Sequence, residues 1–166
     1  MHSILRIFAL SAAVLTVASC GPSPEFIVVR ELDGEAWYRD SMLVFEVPVT
    51  DTAATYRVEV DVRHAGDYAY RNLYVGRDVL NARGTVYHDT AEFQLASPEG
   101  SWLGDGIAGL KTVTLAYRSE GLRFPKAETY RFRMQHLMRD EPLQGIHSVA
   151  LKLYRTEPQD GQDEPR

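Results

Sequence analysis

Three groups of residues in this 166-residue chain have the types and spacing to do chemistry. The densest is Gly100-Ser101-Trp102-Leu103-Gly104-Asp105-Gly106. So many glycines beside a tryptophan would suit a phosphate-cradling loop, an aromatic platform or a tight structural corner. A phosphate loop needs a helix N-terminus behind its glycines, and the nucleotide-hydrolase form adds Gly-Lys-Ser/Thr. Neither follows Gly106, so no nucleotide is expected. The nucleophile elbow Gly-x-Ser-x-Gly is missing too, because Ser101 directly follows Gly100. Two readings remain. Either the stretch is a corner between strands, with Trp102 plugging one end of the fold, or it is a glycine-shaped loop that presents an aromatic face to a partner.

The second group is the histidines and carboxylates. No two of His64, His88, His136 and His147 lie at i, i+2 or i, i+4, the close spacing by which zinc sites declare themselves. No metal is expected. Glu35, Asp40, Asp89, Glu92 and Asp105 fall in or near expected loops, and glycoside hydrolysis needs two carboxylates flanking one bond. Acidic loop residues are the norm in a soluble domain, so no catalytic residue is assigned and no enzyme is expected. Trp37, Tyr38, Tyr68, Tyr70, Tyr74 and Trp102 could instead build a sugar-stacking surface. Strands and sandwich cores favour the same residue types, which leaves carbohydrate binding as the alternative function.

The third is a single residue, Cys20, the one cysteine in the sequence. Arg6 precedes an apolar run from Ile7 to Val17, and Val17-Ala18-Ser19-Cys20 follows. This is the pattern of a secretory signal, and the run is too short to span a bilayer, which takes roughly 20 residues. Val-Ala-Ser-Cys resembles the bacterial lipobox, in which lipid is attached to the cysteine thiol before cleavage just ahead of it. A lone cysteine has no disulfide partner in the chain, which agrees with that use. The expected organisation is a signal at residues 1–19, a lipidated tether at 20–25, one domain at 26–155 and a polar disordered tail at 156–166. The tail has no apolar side chain larger than proline and cannot bury enough surface to offset its ordering entropy. The covalent lipid is the one prosthetic group expected. Cleavage also removes Arg6, so the formal charge moves further from zero than −5. That balance argues against nucleic acid, which needs a basic stripe.

The body that must position these groups alternates with period two. Tyr56, Val58, Val60 and Val62 alternate with Arg57, Glu59, Asp61 and Arg63, and the same pattern recurs over 43–49, 91–95, 113–117, 130–134 and 149–153. With 26–30 and 70–75 this predicts roughly eight half-buried strands. Turn residues join them at 64–67, 81–84, 97–100 and 119–121, and no apolar pattern of helical period runs for three turns. The class is all-β: an antiparallel β-sandwich, with a jelly roll as one form it can take.

Motifs spread over residues 25–155 carry a resemblance. Trp37 lies ahead of a strand containing Phe45, and Arg63-His64 precedes Tyr68-x-Tyr70-x-Asn72-Leu73 and Asp89-Thr90. The Gly100-x-Trp102-x-Gly104-x-Gly106 stretch follows, then Tyr130-x-Phe132-x-Met134-Gln135-x-x-Met138-Arg139, then Leu143-x-Gly145-Ile146. In this order, behind a lipobox, they resemble the gliding-motility lipoprotein family GldH of the Bacteroidetes, with a departure at Ala150, where the family has glycine. The resemblance implies a non-catalytic envelope lipoprotein associated with gliding and with the protein secretion apparatus on which gliding depends. Its partners would be the membrane, through the anchor, and other envelope proteins of that machinery. Trp37, Arg63, His64, Tyr70, Asn72, Gly100, Trp102, Gly104, Gly106, Met138 and Arg139 become candidate partner-facing or loop-shaping residues. In the family's setting, surface-exported lipoproteins carry an acidic run just after the cysteine. Gly21-Pro22-Ser23-Pro24 stands there instead, which implies an outer-membrane lipoprotein facing the periplasm.

Overall fold

Valine-rich alternation builds long strands here, and the computed structural model describes them over residues 22–156. The signal segment, Cys20, Gly21 and the tail beyond Thr156 lie outside the described residues. Ten strands run in chain order: β1 (Phe26–Glu31), β2 (Ala36–Trp37), β3 (Leu43–Pro48), β4 (Thr55–Ala65) and β5 (Asn72–Asn81), then β6 (Gly84–Gln94), β7 (Leu110–Ala116), β8 (Thr129–His136), β9 (Leu143–Gln144) and β10 (Ile146–Thr156). All pairings are antiparallel, and a single 3₁₀ turn, Asp33–Glu35, is the one helical element among the described residues.

The strands form two four-stranded sheets, ordered β1-β10-β4-β7 and β3-β8-β5-β6, with β2 and β9 as a small third sheet. Leaving out that short pair, the first strand lies beside the last, the second beside the second-to-last, and so on inward to the β5–β6 hairpin. That nesting is a long hairpin rolled up, the jelly-roll arrangement of two Greek keys. Apolar inward faces meet between the sheets, with Val58, Val60, Val62, Leu151 and Leu153 on one side and Phe45, Leu73, Val75, Phe132 and Met134 on the other, all nearly inaccessible to solvent. The outward residues of β4 are the polar ones the alternation predicts.

Two features position the loops. Phe26 is paired with Leu153 and Thr55 with Thr156, so both described termini leave from one end. The connections 32–42, 66–71, 95–109 and 137–145 gather at the other. One open side of the sandwich is stitched by Arg30, whose Nε donates to the Val44 carbonyl at 2.8 Å from β1 to β3. The other side, between edge strands β6 and β7, is closed by the 95–109 connection.

Candidate functional site

The glycine–tryptophan stretch is a strap across that second open side. At its start Trp102 forms a bridge with Ala96, just beyond β6, and Leu103 N donates to the Leu95 carbonyl at 2.9 Å. At its end Asp105 bridges Thr112 of β7, with Thr112 N donating to the Asp105 carbonyl at 2.9 Å. Each glycine serves a local need. Gly100 turns at φ +90°, a conformation glycine adopts without a side-chain clash. Gly104 and Gly106 press on the β7 backbone: a Cβ would stand well inside 3.0 Å of the Thr112 and Leu110 carbonyl oxygens respectively. The strap therefore covers an edge strand whose backbone groups would otherwise be open to pairing.

Behind the strap, Trp102 packs into the end of the sandwich. Its ring centre is 4.5 Å from that of His64, and its Nε1 donates to the Gly66 carbonyl at 3.0 Å. His64 is the last inward residue of β4 and is fully buried. A carbonyl can only accept, so the 2.8 Å contact with Ala65 O places the ring proton on Nδ1. Nε2 has no hydrogen-bond partner. Burial holds this ring below the ordinary histidine pKa, with the Ala65 carbonyl opposing and Lys111 adding to the shift. Tyr68 stacks 5.8 Å from both His64 and Tyr70 and donates its hydroxyl to the Asn72 carbonyl at 3.1 Å. Tyr70 continues outward, donating to Asp140 at 2.7 Å.

A second nest sits beneath the neighbouring loops. Trp37 is fully buried, with Nε1 donating to the Ser41 carbonyl at 3.0 Å and its ring edge-on to His136 at 5.6 Å. His136 is also inaccessible, and burial lowers its pKa against an opposing pull from Glu141. Arg39 ties this loop to its neighbour by donating to the Met138 carbonyl at 2.9 Å.

Of the residues singled out in the sequence, His64, Tyr70, Trp102 and the strap glycines come together, with Asn72 and Met138 beside them. Asn72 donates to Glu92 at 2.6 Å, and the Met138 sulfur accepts from Tyr74 N at 3.3 Å. Two of the partner-facing or loop-shaping candidates fall on the loop-shaping side. Trp37 is a core side chain satisfied internally, and His64 is sealed behind Trp102. Arg63 points from the outer face of its sheet, away from the cluster, and Arg139 is exposed on the 137–145 loop. The six aromatics of the sugar-platform reading also separate. Trp37 and Tyr68 are buried, Tyr70 and Trp102 half-buried, and Tyr38 and Tyr74 exposed.

The outward-facing residues of this end escaped the sequence reading. Leu103 is 56% and Ile107 84% exposed, on the same strap whose tryptophan points inward. Ile107 tips a turn in which Ala108 and Gly109 hold φ +53° and +81°, closed by Leu110 N donating to the Ile107 carbonyl at 3.1 Å. Ile107 overhangs a groove of about 360 Å³ on the outer sheet face, with Ile27 and Val29 opposite and Ser148 and Ala150 in its lining. A run of small and polar letters around one isoleucine gave no periodic signal to find it by. Among the described residues no cluster of three or more His, Cys, Asp or Glu could hold a metal ion, and no helix is long and apolar enough to cross a membrane.

Comparison with known proteins bears on this architecture. The family model for the GldH lipoprotein matches residues 27–153. A "Gliding motility lipoprotein GldH homolog" of Christiangramia forsetii is 26% identical over 164 residues, covering 95% of this chain and 99% of the relative. The "Gliding motility lipoprotein GldH" of Flavobacterium johnsoniae is 28% identical over 151 residues, covering 87% and 92%. Among solved structures, dimeric latent PorU of Porphyromonas gingivalis aligns with 81% of this chain and 13% of its own, at 10% identity and a TM-score of 0.36, and adds nothing to the assignment. The match from β1 to β10, with relatives aligned over nearly their whole length, shows that the chain belongs to the GldH lipoprotein family.

Proposed function

We propose that this protein is a non-catalytic assembly component of the envelope machinery for gliding and its linked protein secretion. It would be held by lipid on Cys20 in the outer membrane, facing the periplasm, and would dock a protein partner at the end of the sandwich away from the anchor. The observation that carries this reading is Ile107, an isoleucine 84% exposed on a turn with a non-glycine residue at positive φ beside it. Such a conformation costs of order 1–3 kcal/mol and clusters at binding and switch sites. A solvent-facing apolar tip over a ready-made groove fits an anchor that becomes buried only in a complex.

The anchor is tested by mass spectrometry of detergent-extracted protein, with acyl mass expected on Cys20. A Cys20→Ala chain that stays equally membrane-bound would rule it out. Protease added to intact cells should leave the protein whole, and prompt digestion would mean surface exposure. For the partner surface, a photo-crosslinking residue at position 107 in native envelopes should give adducts with gliding or secretion components. The same residue at position 90, on the opposite sheet, should give none. With the crosslinking residue moved to the exposed Leu103 position on the same strap, Ile107→Glu should fold normally and abolish both the adduct and gliding; unchanged gliding would remove Ile107 from the interface.

A further inference from the structure

At the end where the chain's described termini emerge, four arginines converge. Arg57 from β4, Arg118 and Arg123 from the 117–128 connection and Arg155 from β10 line an open hollow of about 650 Å³. Pro22 and Thr156 form part of the same wall, and Glu120 is the one carboxylate residue in it. This concentration of positive charge runs against a formal charge of −5 for the chain. Arg155 is committed to Glu25 at 3.1 Å and Asp51 at 2.7 Å, and Arg57 pairs with Glu59 while lying over the Tyr154 ring at 4.3 Å. The other two form no salt bridge among the described residues, although the charge of Arg118 helps to hold the Asp89 carboxyl below its ordinary range. Arg118 lies over the Tyr87 ring at 4.8 Å, and Arg123 donates to the Thr55 hydroxyl at 2.9 Å.

Position in the chain supplies the ligand. Cys20 is two residues upstream of Pro22, which covalent geometry limits to a reach of roughly 7 Å. An anchor there puts the hollow at the depth of the lipid headgroups. Guanidinium groups match phosphate oxygens with paired donors and stay charged at any accessible pH. Their attraction to an anionic leaflet acts within a Debye length of about 8 Å. We propose that this hollow binds the phosphate of anionic glycerophospholipid headgroups in the membrane that holds the anchor, with Arg118 and Arg123 as its ligands. The domain would then stand on that membrane in a fixed orientation. The placement rests on the lipid at Cys20; the binding chemistry does not. A rival occupant carries the same charge, because the chain continues past Thr156 with Glu157, Asp160, Asp163 and Glu164.

The test uses the chain from residue 20 to its end with Cys20→Ser, so that no acyl chain contributes and failure of the anchor reading, judged by acyl mass, is separate. This protein should float with vesicles of phosphatidylcholine containing one-third phosphatidylglycerol, and not with phosphatidylcholine alone. Arg118→Gln with Arg123→Gln should weaken the association roughly 30-fold, the effect of removing two cations near an anionic surface, with the melting temperature unchanged. Should that pair fail to fold, Glu120→Gln gives the opposite readout, tighter association. Equal flotation with both vesicle types, or an unchanged affinity in the folded arginine variant, would overturn the proposal. So would binding that appears only when the chain is stopped at Thr156, since the hollow would then belong to the acidic tail.

Discussion

Alanine at position 104 should unfasten the strap from β7. Gly104 does not have a left-handed φ; its need is space, because a Cβ would overlap the Thr112 carbonyl and also press within 3.0 Å of the Val113 side chain. Neither neighbour can yield cheaply, since one is strand backbone and the other belongs to a buried core residue. The strap must move, and the Thr112–Asp105 hydrogen bond goes with it. Forced overpacking costs about 1–3 kcal/mol and the lost backbone bond about 1 kcal/mol, which gives a loss of about 2–4 kcal/mol. Two other glycines calibrate it. Gly100 has φ +90° and open space, so Gly100→Ala should cost only the backbone strain of about 1–2 kcal/mol. Gly76 lies in β5 at ordinary φ, with Leu137 atoms at 3.7 Å from an added Cβ, so Gly76→Ala should be neutral or stabilising by about 0.5 kcal/mol. Urea titrations followed by tryptophan fluorescence would read all three, because Trp102 sits on the strap itself. A Gly104→Ala protein as stable as Gly100→Ala would show that the close approach is not what the glycine serves.

Trp102→Ala removes a half-buried indole and its bond to Gly66, and should cost about 2 kcal/mol, below the 3–5 kcal/mol of a fully buried tryptophan. Ile107→Ala should leave the urea midpoint unchanged, and matching losses in the two variants would erase the distinction between plug and anchor. Asp89→Ala should cost about 2–4 kcal/mol, because it strands the Arg77 guanidinium, whose side chain is 7% exposed against 30% for Asp89. Adding Arg77→Met should recover most of that loss, and a strictly additive double variant would contradict the pairing. Burial depresses His64 and His136, so the unfolded chain binds more protons below about pH 6.5. The stability from keeping these rings neutral is complete above that pH and is lost as pH falls through the depressed folded values, at up to about 1.4 kcal/mol per unit for each ring. His64→Phe with His136→Phe should flatten the urea midpoint between pH 7.5 and 5.5; an unaltered slope would mean the rings are not held neutral.

Legibility followed the physics of each segment. The alternation of β4 puts four apolar residues on one face and four charged residues on the other, and strands of that kind could be read from the letters. The N-terminal half of β6 could not. Its inward positions include Tyr87 and Asp89, which face the sandwich as a hydrogen-bonded pair, so polarity does not alternate there. Arg77 hid for the same reason: it occupies the inward register of β5 between Val75 and Val79, and its charge is answered by Asp89 across the hairpin. The His64–Trp102 contact joins residues far apart in the chain, and pairing of that range needs the strand order. Trp37 shows the limit of residue type alone. Tryptophan is common at interfaces and in cores, and only the Ser41 carbonyl and the edge of His136 decide for the core here.

The rolled hairpin also separates two surfaces that the sequence interleaves. A first strand lying beside the last puts both described termini at one end, so an N-terminal anchor fixes which end meets the membrane. Along β10, Leu153 pairs with Phe26 near the tether root and Ile146 pairs with His64 near the loop cluster. At about 3.3 Å per residue these ends stand roughly 23 Å apart, beyond the ~8 Å over which membrane charge acts at physiological salt. With the lipid at Cys20 as proposed, the arginine hollow would lie within that range, whereas the turn that carries Ile107, at the Ala65 end of β7, would lie outside it. Sites so far apart, sharing no partner, respond additively. Ile107→Glu, which adds a negative charge, should therefore leave flotation with anionic vesicles unchanged, although the same charge beside Arg118 would abolish it. Reduced flotation of the Ile107→Glu protein would mean that the domain lies on its side on the membrane, with the loop end and its groove against the headgroups.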